Sequence, residues 1–226
     1  MISKAASILA LLAPVFAQNE TEPELRKMSH IFRMLDSQLG SGADRKTSYS
    51  YKDVTKMLQN YGCHCFPQNS RAAGGAGAAV DDYDQLCLNL ARCHKCIEQD
   101  HFVSLSADWD ADIGKYRFDI LGDGSIDCES GNLDQHKQDL CKCDAQFAIA
   151  MGAIWDDATY SHANWGGKNN DAYTLDYDNV CVASGAGLTA DACCGDYPNR
   201  TPYGELRTNH FFKISYFSSQ KWQAGT

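Results

Sequence analysis

Residues 61–96 read YGCHCFPQNSRAAGGAGAAVDDYDQLCLNLARCHKC, and three features of this run set the local structure. Two cysteines one residue apart, Cys63 and Cys65, follow a short helical stretch, YSYKDVTKMLQNYG. RAAGGAGAA then has so little side-chain mass that it can bury almost nothing, which makes it a flexible loop. From Asp84 to Phe102 the positions Leu86, Leu90, Cys93 and Ile97 recur at i, i+4, i+7 and i+11. That is the period of a long helix with one buried stripe.

Outward from this run the pattern continues. Upstream, LRKMSHIFRMLDSQL (residues 25–39) places Leu25, Met28, Ile31, Phe32, Leu35 and Leu39 on one helical stripe, and the polar GSGADRKTS ends it. Downstream, KYRFDI-LGDG-SIDC (115–128) is two β-prone runs joined by a Gly-Asp-Gly turn, a hairpin signal. A second long helix is expected from Leu140 to Trp155. After Asp157 the chain becomes rich in Gly, Asn, Asp and Tyr without a sustained period, and reads as loops and short strands tied down by Cys181, Cys193 and Cys194. No internal repeat is evident.

The chain opens MISKAASILALLAPVFA, with one lysine, a short apolar run, and Val15 and Ala17 at the −3 and −1 positions. This reads as a secretory signal peptide over residues 1–17, cleaved before Gln18. A buried N-terminal helix is the competing reading; the abrupt change to QNETEPE argues against it. No later run approaches the ~18 apolar residues of a membrane span, so the expectation is a secreted, extracellular protein without a transmembrane segment. All eleven cysteines lie in the mature chain, which in an oxidising compartment reads as a disulfide framework. The close spacing of Cys63/Cys65, Cys93/Cys96 and Cys141/Cys143 leaves zinc as an alternative, disfavoured by export. Asn19 and Asn199 head N-glycosylation sequons. The net charge of −9 disfavours nucleic acid and anionic membranes, and suits cations or a mineral surface better.

The cysteine spacing between Tyr61 and Ile149 resembles that of the secreted phospholipase A2 family, whose members carry a pattern close to YGCxCG…D..DxCCxxHDxCY. The resemblance covers about residues 25–181, and without gaps from Asp81 it keeps Asp81, Asp84, Cys87 and Cys93. It implies a mainly α fold with a small β-wing, in which two long antiparallel helices are clamped by disulfides. An irregular and β-containing C-terminal extension follows. The implied division is a phospholipase A2-like domain over 18–157 and a cysteine- and aromatic-rich extension over 158–226. Carried over position by position, the resemblance implies Cys65–Cys87, Cys93–Cys143 and Cys128–Cys141. It also implies that Cys63 reaches a cysteine after the second helix, with Cys181 best placed. A family bridge between the positions of Leu86 and Ala150 has lost both ends, as has one between the regions of Val103 and His136. Cys96, Cys193 and Cys194 remain, enough for one bridge in an undetermined pairing and one thiol left over.

In the family a His-Asp pair activates a water, and a glycine-rich loop with an aspartate holds calcium. Here Leu90 stands where the catalytic histidine is implied, and Ala91 where the calcium-binding aspartate is implied. Phe66-Pro67 and an insertion replace the calcium-loop glycines, and Pro67 also lacks an N–H. Asp144 matches the carboxylate that orients the missing histidine; without that histidine, its expected role is to accept hydrogen bonds from a tyrosine such as Tyr116. His94, one turn beyond Leu90, and His64 are the candidates for a displaced base. Asp108, Asp110, Asp112 and Asp119 echo the ligand order of a calcium loop, but the glycine comes one place late and Asp replaces the bidentate Glu, so a solvated acidic loop is preferred.

Three functions follow as expectations. The first is an exported, non-catalytic phospholipase A2-like protein that serves an extracellular assembly or matrix as a structural or binding component, without a cofactor. The second is a divergent calcium-dependent phospholipase A2 that hydrolyses phospholipid esters. The third is a secreted ligand or toxin-like subunit. DACCGDYPNRTPYG (191–204) also resembles a short segment near the ends of some extracellular matrix-type proteins. The aromatic run HFFKISYFSSQKW (210–222) has apolar groups on both strand faces, so residues 158–226 are the expected contact surface for a second copy or another extracellular protein.

Overall fold

The computed structural model describes residues 26–66, 73–103, 105, 115–157, 159–160, 164, 175–182 and 192–203. The signal segment, Asn19 and the run 210–222 lie outside them, as do Leu25 and the side chain of Met28. Helix α1 (Arg26–Gln38) buries Ile31, Phe32, Met34 and Leu35. Helix α2 (Tyr51–Leu58) starts with a capping box: Ser50 accepts the Asp53 N–H while Asp53 reaches back to the Ser50 N–H. Helix α3 (Asp82–His101) begins two residues earlier than its apolar stripe suggests, because Asp81 caps it by accepting the Asp84 N–H. It ends at Phe102, in the left-handed conformation with φ 54°.

Strands β1 (Asp119–Ile120) and β2 (Ile126–Asp127) form the wing, with Asp119 opposite Asp127. Helix α4 (Gln135–Ile154) extends the expected 140–155 element by a polar first turn that the hydrophobic pattern cannot mark. Contacts between α3 and α4 run 83 to 154, 94 to 144 and 101 to 139, so the two long helices are antiparallel. Helix α5 (Tyr177–Val180) is one turn, and strands β3 (Ala192–Cys194) and β4 (Thr201–Tyr203) form a second antiparallel pair.

Disulfides tie these elements together. Cys93–Cys143 joins α3 to α4, Cys128–Cys141 joins the wing to α4, and Cys65–Cys87 joins the loop after α2 to α3. Cys63 reaches Cys181, and Cys96 takes Cys193, which leaves Cys194 as a free, exposed thiol. Each such link typically stabilises by roughly 2–4 kcal/mol, chiefly by restricting the unfolded chain.

No packing break marks the boundary expected at 157. Tyr160 is buried against Tyr61, Tyr83 and Trp155, and its hydroxyl donates to the Met57 carbonyl at 2.6 Å. The Gly62 N–H donates to the Asn164 carbonyl at 2.7 Å. Further on, the β3–β4 hairpin lies back on α3. Arg200 makes a two-pronged pair with Asp100, Tyr197 donates to the same carboxylate at 2.7 Å, and Cys96–Cys193 fixes the arrangement. Leu86 and Ala150, the positions of the absent family bridge, line a cavity of about 220 Å³ that is closed by residues 198–201 of this hairpin.

Candidate functional site

The N-terminal turns of α3 anchor the segment before the glycine-rich loop. Asp84 is fully buried, and its carboxylate accepts backbone N–H groups from Cys63 at 2.9 Å, His64 at 2.7 Å and Val80 at 3.1 Å. A buried carboxylate is tolerable only with such partners. Gly62 makes the approach possible: its φ is +58°, and a Cβ there would sit 2.3 Å from the Asp84 carboxyl carbon. Asp81 accepts the Tyr61 hydroxyl at 2.5 Å and the Asn164 amide at 2.7 Å.

The middle of α3 is different. Leu90 is 2% exposed and belongs to the hydrophobic core. Ala91 packs against the loop, where a Cβ on Gly74 would meet its methyl at 3.4 Å. Two described carbonyls before the loop are occupied: His64 accepts the N–H groups of Gly74 at 2.8 Å and Phe66 at 3.1 Å, and Phe66 accepts that of Asn60. The loop closes tightly enough that a Cβ on Gly75 would lie 2.0 Å from the Cys63 carbonyl oxygen. Among the described residues, this part of the loop thus meets the Ala91 methyl and has two carbonyls, of His64 and Phe66, already accepting amides. No group of three His, Cys, Asp or Glu side chains suited to a metal occurs among the described residues.

One turn beyond Leu90, His94 Nε2 lies 2.7 Å from Asp144 Oδ1, while Tyr116 donates its hydroxyl to Asp144 Oδ2 at 2.5 Å. Burial first, and then the charge of Asp144, push the Tyr116 hydroxyl well above the usual phenol range, so it stays protonated and donates. Asp144 is therefore held from both sides. Tyr116 is the partner expected from sequence; His94 was expected only as a candidate base, and its bond to Asp144 was missed. The signal was its place four residues after Leu90 and three before Ile97, on the buried stripe of α3. The cavity beside Leu90 carries no carboxylate or imidazole on its walls, so nothing lining it can take a proton from water near neutral pH. His64 is 1% exposed, and neither ring nitrogen has a partner among the described residues.

The other expected sites are scattered. Asp108, Asp110 and Asp112 lie outside the described residues, and Asp119 sits exposed on the wing. Asn199 is exposed in the turn between β3 and β4. No described helix is long and apolar enough to cross a membrane.

The scaffold is helical and disulfide-clamped, and its long helices carry the Asp84 loop anchor and the buried Asp144–Tyr116 pair. The family model for phospholipase A2 matches residues 45–164, just over half of the chain, and the chain belongs to that family. No curated protein matches the chain in a sequence search.

Proposed function

We propose that this chain is an exported, non-catalytic member of the phospholipase A2 family, serving as a structural or binding component of an extracellular assembly. The observation that carries this reading is Leu90 in the core, with Ala91 in place of the family's carboxylate and the His64 and Phe66 carbonyls bonded to protein amides. Ester hydrolysis requires a base beside a water and a cation or donor set at the developing oxyanion. The described residues around Leu90 supply no such base, and the cation on the wall of the cavity beside it, Arg200, is already bonded to Asp100. The disulfides and the sequons at Asn19 and Asn199 support export and glycosylation, and calcium is not expected to be a cofactor. Association with a second copy or another extracellular protein is assigned to residues 158–226, with Cys194 as an exposed thiol in that region.

The test is hydrolysis of mixed phospholipid vesicles, with calcium and with chelator. The reading expects release no faster than buffer in both. Calcium-dependent turnover that is lost in Asp144→Ala would instead support the divergent enzyme.

A further inference from the structure

The cavity between α3 and α4 is held open by its own framework. Leu86 and Leu90 of α3 and Phe147 and Ala150 of α4 line it, and its volume is about 220 Å³. With leucine and alanine at the positions of the family's bridge, no sulfur pair fills the space. Cys93–Cys143, which is part of the wall, fixes the two helices relative to each other and keeps them from collapsing onto it. The roof, residues 198–201, is equally constrained. Arg200 bonds both carboxylate oxygens of Asp100 and donates to the Gly195 carbonyl at 2.6 Å, while Cys96–Cys193 ties the hairpin to α3. Space that neighbouring side chains do not fill forfeits dispersion contacts that a guest of the right size would supply.

The walls define that guest. An apolar cavity of about 150 Å³ takes a benzene ring. About 220 Å³ therefore holds one ring with a small substituent, and is too small for a phospholipid. Phe147 and the Cys93–Cys143 sulfurs favour an aromatic ring over an aliphatic one, through edge-to-face and sulfur–ring contacts. A charged group would find no counterpart. No carboxylate lines the cavity to meet a cation, and Arg200 is already paired with Asp100. The rim offers one polar anchor: Gln85 donates to Asn89 Oδ1 at 3.0 Å, which leaves the Asn89 amide hydrogens to donate to a guest.

We propose that this cavity binds a small neutral aromatic molecule with one oxygen acceptor, of the phenol or benzyl alcohol class. The ring lies between the helices against Phe147 and the disulfide, and its oxygen accepts from Asn89 at the rim. A mostly apolar wall with one placed polar group is the ordinary composition of a small-molecule site. Ala150 is the residue that makes the room, since a larger side chain there would occupy the cavity itself. This inference goes beyond the proposed function and stands whether or not the chain hydrolyses lipid.

The experiment is calorimetric titration of the full mature chain with p-cresol. Toluene, p-toluate, 4-methylcyclohexanol and a short-chain lysophospholipid form the comparison arms. Expected is saturable one-to-one binding of p-cresol, and about fivefold weaker binding of toluene, which lacks the hydrogen-bond acceptor. The charged, the aliphatic and the lipid probes should all bind more weakly than p-cresol. Ala150→Phe should abolish p-cresol binding while circular dichroism shows a folded chain. Asn89→Ala, a change at an exposed rim position, should weaken p-cresol to the level of toluene and leave toluene unchanged. No saturable p-cresol binding, binding that survives Ala150→Phe in a folded chain, or tighter binding of p-toluate, 4-methylcyclohexanol or the lysophospholipid overturns the assignment. If Ala150→Phe does not fold, Asn89→Ala decides: an unchanged p-cresol affinity, or an equal loss for p-cresol and toluene, overturns it. Vesicle hydrolysis is read separately, so this proposal and the non-catalytic reading fail independently.

Discussion

The first turn of α3 and its middle, less than two helical turns apart, have been treated in opposite ways. At the start, Asp81 and Asp84 are surrounded by donors, with three backbone N–H groups on Asp84 alone. In the middle, Leu90 lies in the core beside a small cavity, and half-buried Ala91 faces Gly74 with a methyl. The difference separates two jobs that the family's helix performs together. Polar groups that satisfy buried backbone cannot be dropped without leaving orphaned donors, whereas polar groups that serve chemistry can be replaced by apolar ones that pack. On the non-catalytic reading proposed above, the scaffold outlives the reaction.

The largest test of this contrast is Asp84→Ala. It leaves three buried N–H groups without acceptors and is expected to cost about 3–5 kcal/mol, read from urea unfolding. A loss below about 1 kcal/mol would show that water replaces the carboxylate and that the two regions do not differ. Next comes Leu90→Ala, expected to cost about 3 kcal/mol as an ordinary core truncation, while Leu90→Met stays under about 1.5 kcal/mol. If Leu90→Met proved as harmful as Leu90→Ala, Leu90 would have a role beyond filling volume.

The hairpin on the far end of α3 provides a pH test. Hydrogen bonds from Arg200, and then from Tyr197, hold the Asp100 carboxyl below the usual carboxylate range against the opposing effect of burial. A folded value below the unfolded one means that the contribution is complete above the ordinary carboxylate value near 4 and is lost as pH falls through the folded value. Amide exchange in residues 192–203 should therefore accelerate below about pH 4. Asp100→Asn should exchange faster at pH 7 and show less of this acid response. The smallest effect is expected at His64, whose buried ring nitrogens lack partners among the described residues. His64→Leu should stabilise by about 1 kcal/mol; destabilisation of that size would reveal an interaction for the ring.

Much of this was legible in the sequence because cysteine spacing and helical period are local signals. The long helices around Leu90 and Phe147, the wing at the Gly-Asp-Gly turn and the pairing of Cys93 with Cys143 all follow from spacing or from the resemblance it carries. Helix starts were misplaced because caps and polar first turns, such as Asp81 and QHKQD, carry no apolar period. The partner of Cys96 could not be chosen, since it depends on Asp100 and Arg200 bringing the hairpin back across a hundred residues of sequence.

The central claim is that the phospholipase A2 scaffold persists here without its metal chemistry, and calcium titration by calorimetry tests it most directly. The wild-type chain and the Leu90→His/Ala91→Asp variant are compared, with circular dichroism confirming that both are folded. The account predicts no saturable calcium heat from the wild type. It predicts none from the double variant either, because the loop carbonyls of His64 and Phe66 remain bonded to protein amides. Saturable calcium binding by the wild type, or binding with phospholipid hydrolysis restored in the double variant, would contradict it.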